Sequence, residues 1–174
     1  TLDGALQEQL VVRAHNCFPI PDSISDGGGT LLEVLGVALH TVDLGKLRVA
    51  HSVTVHGCGP VGLLVLRLAK LAGADPIFAF DRFAWRVEKA LEWGATAAWT
   101  LDQGDPGTLV MEQTHGRGVD VAFEVAWADA SVQQAADTLR AGGRLVVAGI
   151  PEEEDTVVLK ASVARRKGLT IMMV

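Results

Sequence analysis

The chain has 174 residues, 49% hydrophobic and 21% charged, with a net charge of −6. That length supports one good core with room for a fragment of a second domain, the composition excludes a disordered or fibrous chain, and the negative balance argues against nucleic acid or an anionic membrane as the main partner. Two cysteines, Cys17 and Cys58, make neither a disulfide scaffold nor a Cys-x-x-Cys zinc pair, a usage that suits a reducing cytoplasm.

Residues Ala5 to Pro21 read as extended, punctuated by Pro19 and Pro21. A helix is expected from Ser25 or Asp26, with Leu32, Leu35, Leu39 and Val42 at helical spacing and Gly45 closing it. Gly27 to Gly29 weaken its first turn; no Lys-Ser/Thr follows and no strand precedes, so they read as a flexible helix start rather than a phosphate loop. Strands are then expected at Ser52–His56, Ile77–Asp81, Ala97–Leu101, Val119–Val125, Arg144–Gly149 and Leu169–Val174. Helices fit between them at Pro60–Leu71, Arg82–Glu92, Pro106–His115 and Ala128–Arg140, with a short turn near Ala161–Arg166. The Pro60–Leu71 helix carries only Arg67 and Lys70 as charged residues, on one face, so it is expected to be mostly buried, and it is too short to span a bilayer. Near-continuous apolar strands alternating with helices predict an α/β doubly wound parallel sheet, a Rossmann fold, in the order 3-2-1-4-5-6. Ligands then bind beyond the carboxyl ends of the strands, at Gly57–Gly62, Val125–Trp127 and Ala148–Ile150.

The segment Val53-Thr-Val-His-Gly57-Cys-Gly59-Pro-Val-Gly62 is a G-x-G-x-x-G turn, with a strand before it, a helix after it and a carboxylate, Asp81, at the end of the next strand. Gly57 permits the tight turn, Gly59 lets a pyrophosphate approach the backbone, and Gly62 lets the helix sit close to the strand. Pro60 fits the first helical turn, whose free N–H groups and positive dipole end face a bound anion. Asp81 is placed to accept both hydroxyls of an adenosine ribose. A 2′-phosphate would meet its negative charge, so NAD is favoured over NADP, although the neighbouring Arg82 blurs the distinction.

Several further segments, in order, resemble the cofactor domain of the medium-chain dehydrogenase/reductase family, on its zinc-dependent alcohol and polyol (sorbitol-type) dehydrogenase side. Phe18-Pro-Ile-Pro-Asp-Ser-Ile-Ser is similar to the family's crossing segment, and Leu32-Glu33-Val-Leu-Gly-Val-Ala-Leu-His40 resembles its Leu-Glu-Pro-Leu-x-Val-x-x-His helix. Gly57-Cys-Gly-Pro-Val-Gly62 resembles its Gly-Ala-Gly-Pro-Ile/Val-Gly turn. Gly116-Arg-Gly-Val-Asp120, Gly142-Gly-Arg-Leu-Val-Val-Ala-Gly149 and Arg165-Arg-Lys-Gly-Leu-Thr170 match later landmarks. The resemblance implies residues 1–22 as the tail of a GroES-like catalytic domain and 23–174 as the Rossmann domain. It implies Gly59, Pro60 and Val61 under the pyrophosphate, Asp81 on the ribose and Arg86 against the adenine. Val125 and Ala126, with Ala148, Gly149 and Ile150, would line the nicotinamide side, and Glu33 would give a carboxylate to the catalytic zinc. The implied partners are a nicotinamide dinucleotide and, in the complete enzyme, a small alcohol or polyol. The sequence departs from the family at Trp127, where glycine is usual beside the nicotinamide, at Val34 in place of proline and at His56 in place of an apolar residue. A degenerate nicotinamide end behind Trp127, leaving a non-catalytic nucleotide-binding or sensing module, is the alternative expectation.

The other candidates for chemistry carry plainer readings. Glu33 and His40 share a helix face but stand about 10 Å apart, too far to chelate one zinc unaided. His40 is read as packed or capped locally and His56 as a core or turn histidine. Cys58 lies near a helix N-terminus, which lowers a thiol pKa, yet is read mainly as a small residue tolerated in a tight turn. Trp85, Trp93 and Trp99 are expected to pack, and Arg165-Arg-Lys167 to be a solvated loop. The last apolar run is expected to be an edge strand through which the chain forms a homo-oligomer.

Overall fold

The computed structural model describes residues 4, 6–126, 128, 130–150 and 156–174. By contact pattern the chain forms two compact units, residues 1–32 and 33–174. Among its described residues the first has no strand, only a 3-10 turn at Ala14–Asn16 and one turn of helix, α1 (Asp26–Gly29), capped by the Ser25 side chain, which accepts from the Gly28 N–H at 3.1 Å. The helix expected from Ser25 to Gly45 is therefore two helices. α1 stops after its three glycines, whose backbone entropy disfavours continuation, and α2 (Leu32–Gly45) starts afresh.

The larger unit alternates strand and helix: β1 (Val53–His56), α3 (Pro60–Leu71), β2 (Ile77–Asp81), α4 (Ala84–Glu92), β3 (Ala97–Thr100), α5 (Pro106–Gln113), β4 (Val119–Glu124), α6 (Ser131–Thr138), β5 (Leu139–Val147), α7 (Ala161–Lys167) and β6 (Thr170–Met173). The six strands form one parallel sheet in the order β3-β2-β1-β4-β5-β6, as the alternation predicts. β1, β2 and β4 are buried along their whole length. One face of the sheet packs Val53, Val55, Ala79 and Phe123 against α2, α3 and α4. The other packs Phe78, Phe80, Ala122 and Leu145 against α5 and α6. Burial of these apolar side chains on both faces is the main stabilising term.

Two boundaries differ instructively. α6 ends at Thr138 because Leu139 is already extended and pairs with Val119; the Gly142-Gly143 stretch then takes up a register shift before Arg144 pairs with Val121. The Arg165-Arg-Lys167 run is helical rather than a solvated loop. The Lys167 ammonium donates to the carbonyls of Ala136, Asp137 and Leu139 at 3.2, 2.8 and 2.6 Å, covering carbonyls at the end of α6 and the start of β5.

Candidate functional site

The carboxyl ends of β1, β2, β4 and β5 meet at the edge where the strand order reverses, and the glycine turn sits in their midst. β1 ends in His56, and Gly57 turns the chain with φ +98°. A side chain at Gly62 would bring its Cβ within 1.8 Å of the Gly57 oxygen, so α3 closes on the turn only because residue 62 has none. At Gly59 the nearest atom to such a Cβ is an Arg86 guanidinium nitrogen at 4.0 Å, so that side of the turn is open. Gly59 is also the N-cap of α3 and offers no side-chain cap. No N-cap side chain therefore satisfies the first N–H groups of α3, those of Val61 and Gly62, while Pro60 has none to satisfy. A loop open on one side, closed on the other and leading into a helix without a side-chain N-cap fits a dinucleotide pyrophosphate.

Asp81, the last residue of β2, stands behind this loop. It is 5% exposed. One carboxylate oxygen accepts from the Cys58 N–H at 2.7 Å and the other from the Phe83 N–H at 2.9 Å. An Arg86 guanidinium nitrogen lies 3.6 Å from the oxygen that holds Cys58. The carboxylate therefore ties the glycine turn to the start of α4, a bracing role that sequence spacing did not reveal. Cys58 is buried beneath the turn. Burial, and then the Asp81 charge, push its thiol up to about 12, against the opposing effects of Arg86 and the hydrogen bond to the Phe80 carbonyl. The lowering expected from a helix N-terminus is overridden because the thiol points into the core, and it is held in the protonated form.

Arg82, Phe83, Trp85 and Arg86 form a ladder beside Asp81. The Arg82 and Arg86 guanidinium carbons lie 4.7 and 5.1 Å from the Phe83 ring centre, Arg86 is also 5.1 Å from the Trp85 ring, and the two aromatic rings stack at 6.4 Å. Trp85 is 61% exposed, contrary to its reading as a packing residue, since it projects from the first turn of α4. Trp99 does pack, against Phe78 and Phe80, and Trp93 packs on the core.

On the β4–β5 side the structure brings the remaining predicted residues to the same edge. The Val125 N–H donates to the His56 carbonyl at 2.9 Å, and the Ala148 and Gly149 N–H groups donate to the Glu124 carbonyl at 2.8 and 3.2 Å. Ala126 lies against Gly57, where a Cβ would approach its own Cβ to 2.9 Å. Ile150 is largely exposed at the rim. Trp127 lies outside the described residues. Glu124 was missed by the sequence reading. It is wholly buried, and its side chain accepts from the Ala126 N–H at 2.9 Å and the Ser131 hydroxyl at 2.7 Å, fixing the chain as it leaves β4. The signal was an acid inside the apolar run Val119-Asp-Val-Ala-Phe-Glu-Val125, where burial without hydrogen-bond partners would be costly. His56 is also buried and stacks on Phe80 at 5.1 Å. Its Nε2 has no hydrogen-bond partner among the described residues, and burial pulls the imidazole down to about 3.

Glu33 is exposed on the first turn of α2, and His40 is exposed rather than packed. Among the described residues no three His, Cys, Asp or Glu side chains come together as metal ligands. Zinc therefore does not fit the described residues by themselves, whereas a dinucleotide fits the turn.

The family model for zinc-binding dehydrogenases matches residues 60–174. The chain is 34% identical over 154 residues to sorbitol dehydrogenase of Bacillus subtilis, covering 88% of this chain and 44% of that protein. It is 33% identical over 168 residues to L-threonine 3-dehydrogenase of the same organism, covering 97% and 48%. Among solved structures it superposes on a putative zinc-binding dehydrogenase of Sinorhizobium meliloti bound to NADP, with a TM-score of 0.79, 30% identity and coverage of 90% of this chain and 46% of that one. It also superposes on an Escherichia coli alcohol dehydrogenase complexed with NADH, with a TM-score of 0.81, 25% identity and coverage of 93% and 47%. The chain thus spans less than half the length of the curated relatives it matches.

Proposed function

Because the chain belongs to the zinc-binding dehydrogenase family, we propose that it is the NAD(H)-binding part of a dehydrogenase acting on a small alcohol or polyol in the reducing cytoplasm. The observation that carries this reading is the glycine turn, open at Gly59 and closed at Gly62, with Asp81 behind it. In this reading the pyrophosphate lies on the N–H groups of Val61 and Gly62 at the positive end of α3. The adenosine ribose meets Asp81, which keeps lone pairs beyond those given to Cys58 and Phe83. Arg86 lies along the adenine, and Val125, Ala126, Ala148, Gly149 and Ile150 flank the nicotinamide. When bound, the dinucleotide supplies the hydride acceptor. The chain's own residues orient it: Glu124 fixes the peptide at Ala126, and the His56 and Glu124 carbonyls fix Val125, Ala148 and Gly149.

The chain binds cofactor without turning over substrate by itself, since the described residues bring Glu33 no zinc co-ligands; Glu33 would contribute its carboxylate together with ligands from elsewhere, and residues 1–22 would belong to the domain that holds them. Titrating the 174-residue chain with NADH, followed by nicotinamide fluorescence, should give saturable binding, and adding zinc and a polyol should give no appreciable NADH production. Absence of NADH binding would overturn the cofactor reading, and robust zinc-dependent turnover would overturn the division of labour. β6 supports a second part of the proposal. It is an edge strand with Ile171 and Met173 exposed, so two chains pairing along it would bury both edges. Light scattering should report a dimer of the chain, and a monomer at micromolar concentration would remove this pairing from the reading.

A further inference from the structure

The rung of the sheet beneath the site carries Phe80, His56, Glu124 and Val147 as register partners on β2, β1, β4 and β5. Phe80 and Val147 fill their places with apolar side chains, so packing at this level does not require an acid. Burying one costs free energy that hydrogen bonds must offset. Glu124 is wholly buried, and its Oε1 accepts from the Ala126 N–H at 2.9 Å and the Ser131 hydroxyl at 2.7 Å. The same hydroxyl accepts from the Ala128 N–H at 2.9 Å. The acid therefore holds the chain at Ala126 directly and at Ala128 through Ser131. Ser131 opens α6, which Val132, Ala135 and Ala136 anchor on the sheet. Ala126 in turn lies against Gly57, and the Glu124 carbonyl takes the Ala148 and Gly149 N–H groups. One buried residue thus ties together the pieces of chain placed beside the nicotinamide. The adenosine end is braced separately, by Asp81 through the Cys58 and Phe83 N–H groups.

We propose that Glu124 and Ser131 are positioning residues for the nicotinamide half of the cofactor alone: together they set where Ala126 stands against the glycine turn, and so how firmly the nicotinamide is held, while ADP-ribose is held without them. The inference rests on the dinucleotide reading above and deepens it. Neither side chain touches the cofactor. Each acts through the backbone it fixes, and a backbone held in its bound position before the ligand arrives saves the entropy of ordering it. Ser131 carries the position of a helix packed on the sheet to a carboxylate that passes it to Ala126.

The test is a set of titrations of the chain with NADH and with ADP-ribose, which lacks the nicotinamide, repeated on Ser131→Ala, Glu124→Gln and Glu124→Ala. Nicotinamide emission is recorded for each bound NADH. We expect Ser131→Ala to weaken NADH at least about fivefold and ADP-ribose less than about twofold, with the emission of bound NADH moved toward that of free NADH. Glu124→Gln, which keeps an acceptor oxygen, should lose less NADH affinity than Glu124→Ala, again with ADP-ribose little changed. Ser131→Ala leaves the acid and its bond to Ala126 in place, so it decides the matter even if Glu124→Ala does not fold. Equal losses for both ligands would reduce the pair to a structural role and overturn the inference, as would unchanged binding of both. NADH binding no tighter than ADP-ribose in the parent chain, with the emission of free NADH, would overturn it while leaving the adenosine half of the site standing. Failure of both ligands to bind the parent chain would instead overturn the cofactor reading itself.

Discussion

Two buried aspartates stand at opposite ends of the same sheet and do opposite work. Asp120, near the start of β4, is 6% exposed; it accepts from the Ser52 N–H and hydroxyl at 2.9 Å, from Arg117 at 2.8 Å and from Arg140 at 2.7 Å. Burial opposes its charge, but the hydrogen bonds from Arg117, Arg140 and Ser52 outweigh that cost and hold the carboxyl well below the usual range. Asp81, at the end of β2, is as buried but takes two backbone N–H groups and one longer contact to Arg86. One aspartate is saturated by its own chain. The other keeps acceptor capacity beside an open loop. The number of remaining lone pairs, more than burial, separates a structural acid from one that can meet a ligand.

Replacing each with asparagine should separate those roles. Asp120→Asn leaves two guanidinium groups and the Ser52 amide with an imperfect partner, and should cost about 3 kcal/mol in urea unfolding. Because the change lies at the far end of the sheet, NADH affinity of the folded protein should shift less than about twofold. Asp81→Asn should cost only about 1 kcal/mol in stability, since the amide oxygen still accepts one of the two N–H groups, while NADH affinity falls about tenfold. Equal effects of both variants on binding would mean that the two ends of the sheet are not independent and would remove the contrast.

The sequence carried the sheet order and five of the six strands to within a residue at each end, because buried strands read as apolar runs between glycine and proline breaks. The glycine turn was equally legible, since each glycine answers a separate steric demand. What stayed hidden depended on long-range partners. Nothing near Asp81 says that its oxygens will reach back 23 residues to the Cys58 N–H. Nothing near Cys58 says that its thiol will point beneath the turn and be pushed up rather than down. Lys167 reads as a surface charge until α6 ends in front of it. Trp85 was misread for the opposite reason: a large aromatic suggests core, yet the ladder with Phe83 and Arg86 holds it at the surface.

His56 sharpens the contrast between the aspartates, because it is a third buried ionisable group and stays neutral. Its pKa is lowered by burial to about 3 from an ordinary 6.5, and its Nε2 has no compensating partner among the described residues. Below pH 6.5 the unfolded chain takes up a proton at this residue that the folded chain refuses, so its contribution is fully present above 6.5 and drains away as pH falls toward 3. By pH 5 the loss relative to neutral pH amounts to about 2 kcal/mol. Asp120 contributes no such slope above pH 5, since its carboxyl is ionised in both states there. His56→Leu, similar in size and unable to titrate, should therefore lessen the fall in urea-unfolding stability between pH 7.5 and pH 5 by about 2 kcal/mol relative to the parent chain. Parallel pH profiles for the two proteins would mean that the buried imidazole is protonated as readily in the folded chain as in the unfolded one, and that a partner for Nε2 offsets its burial.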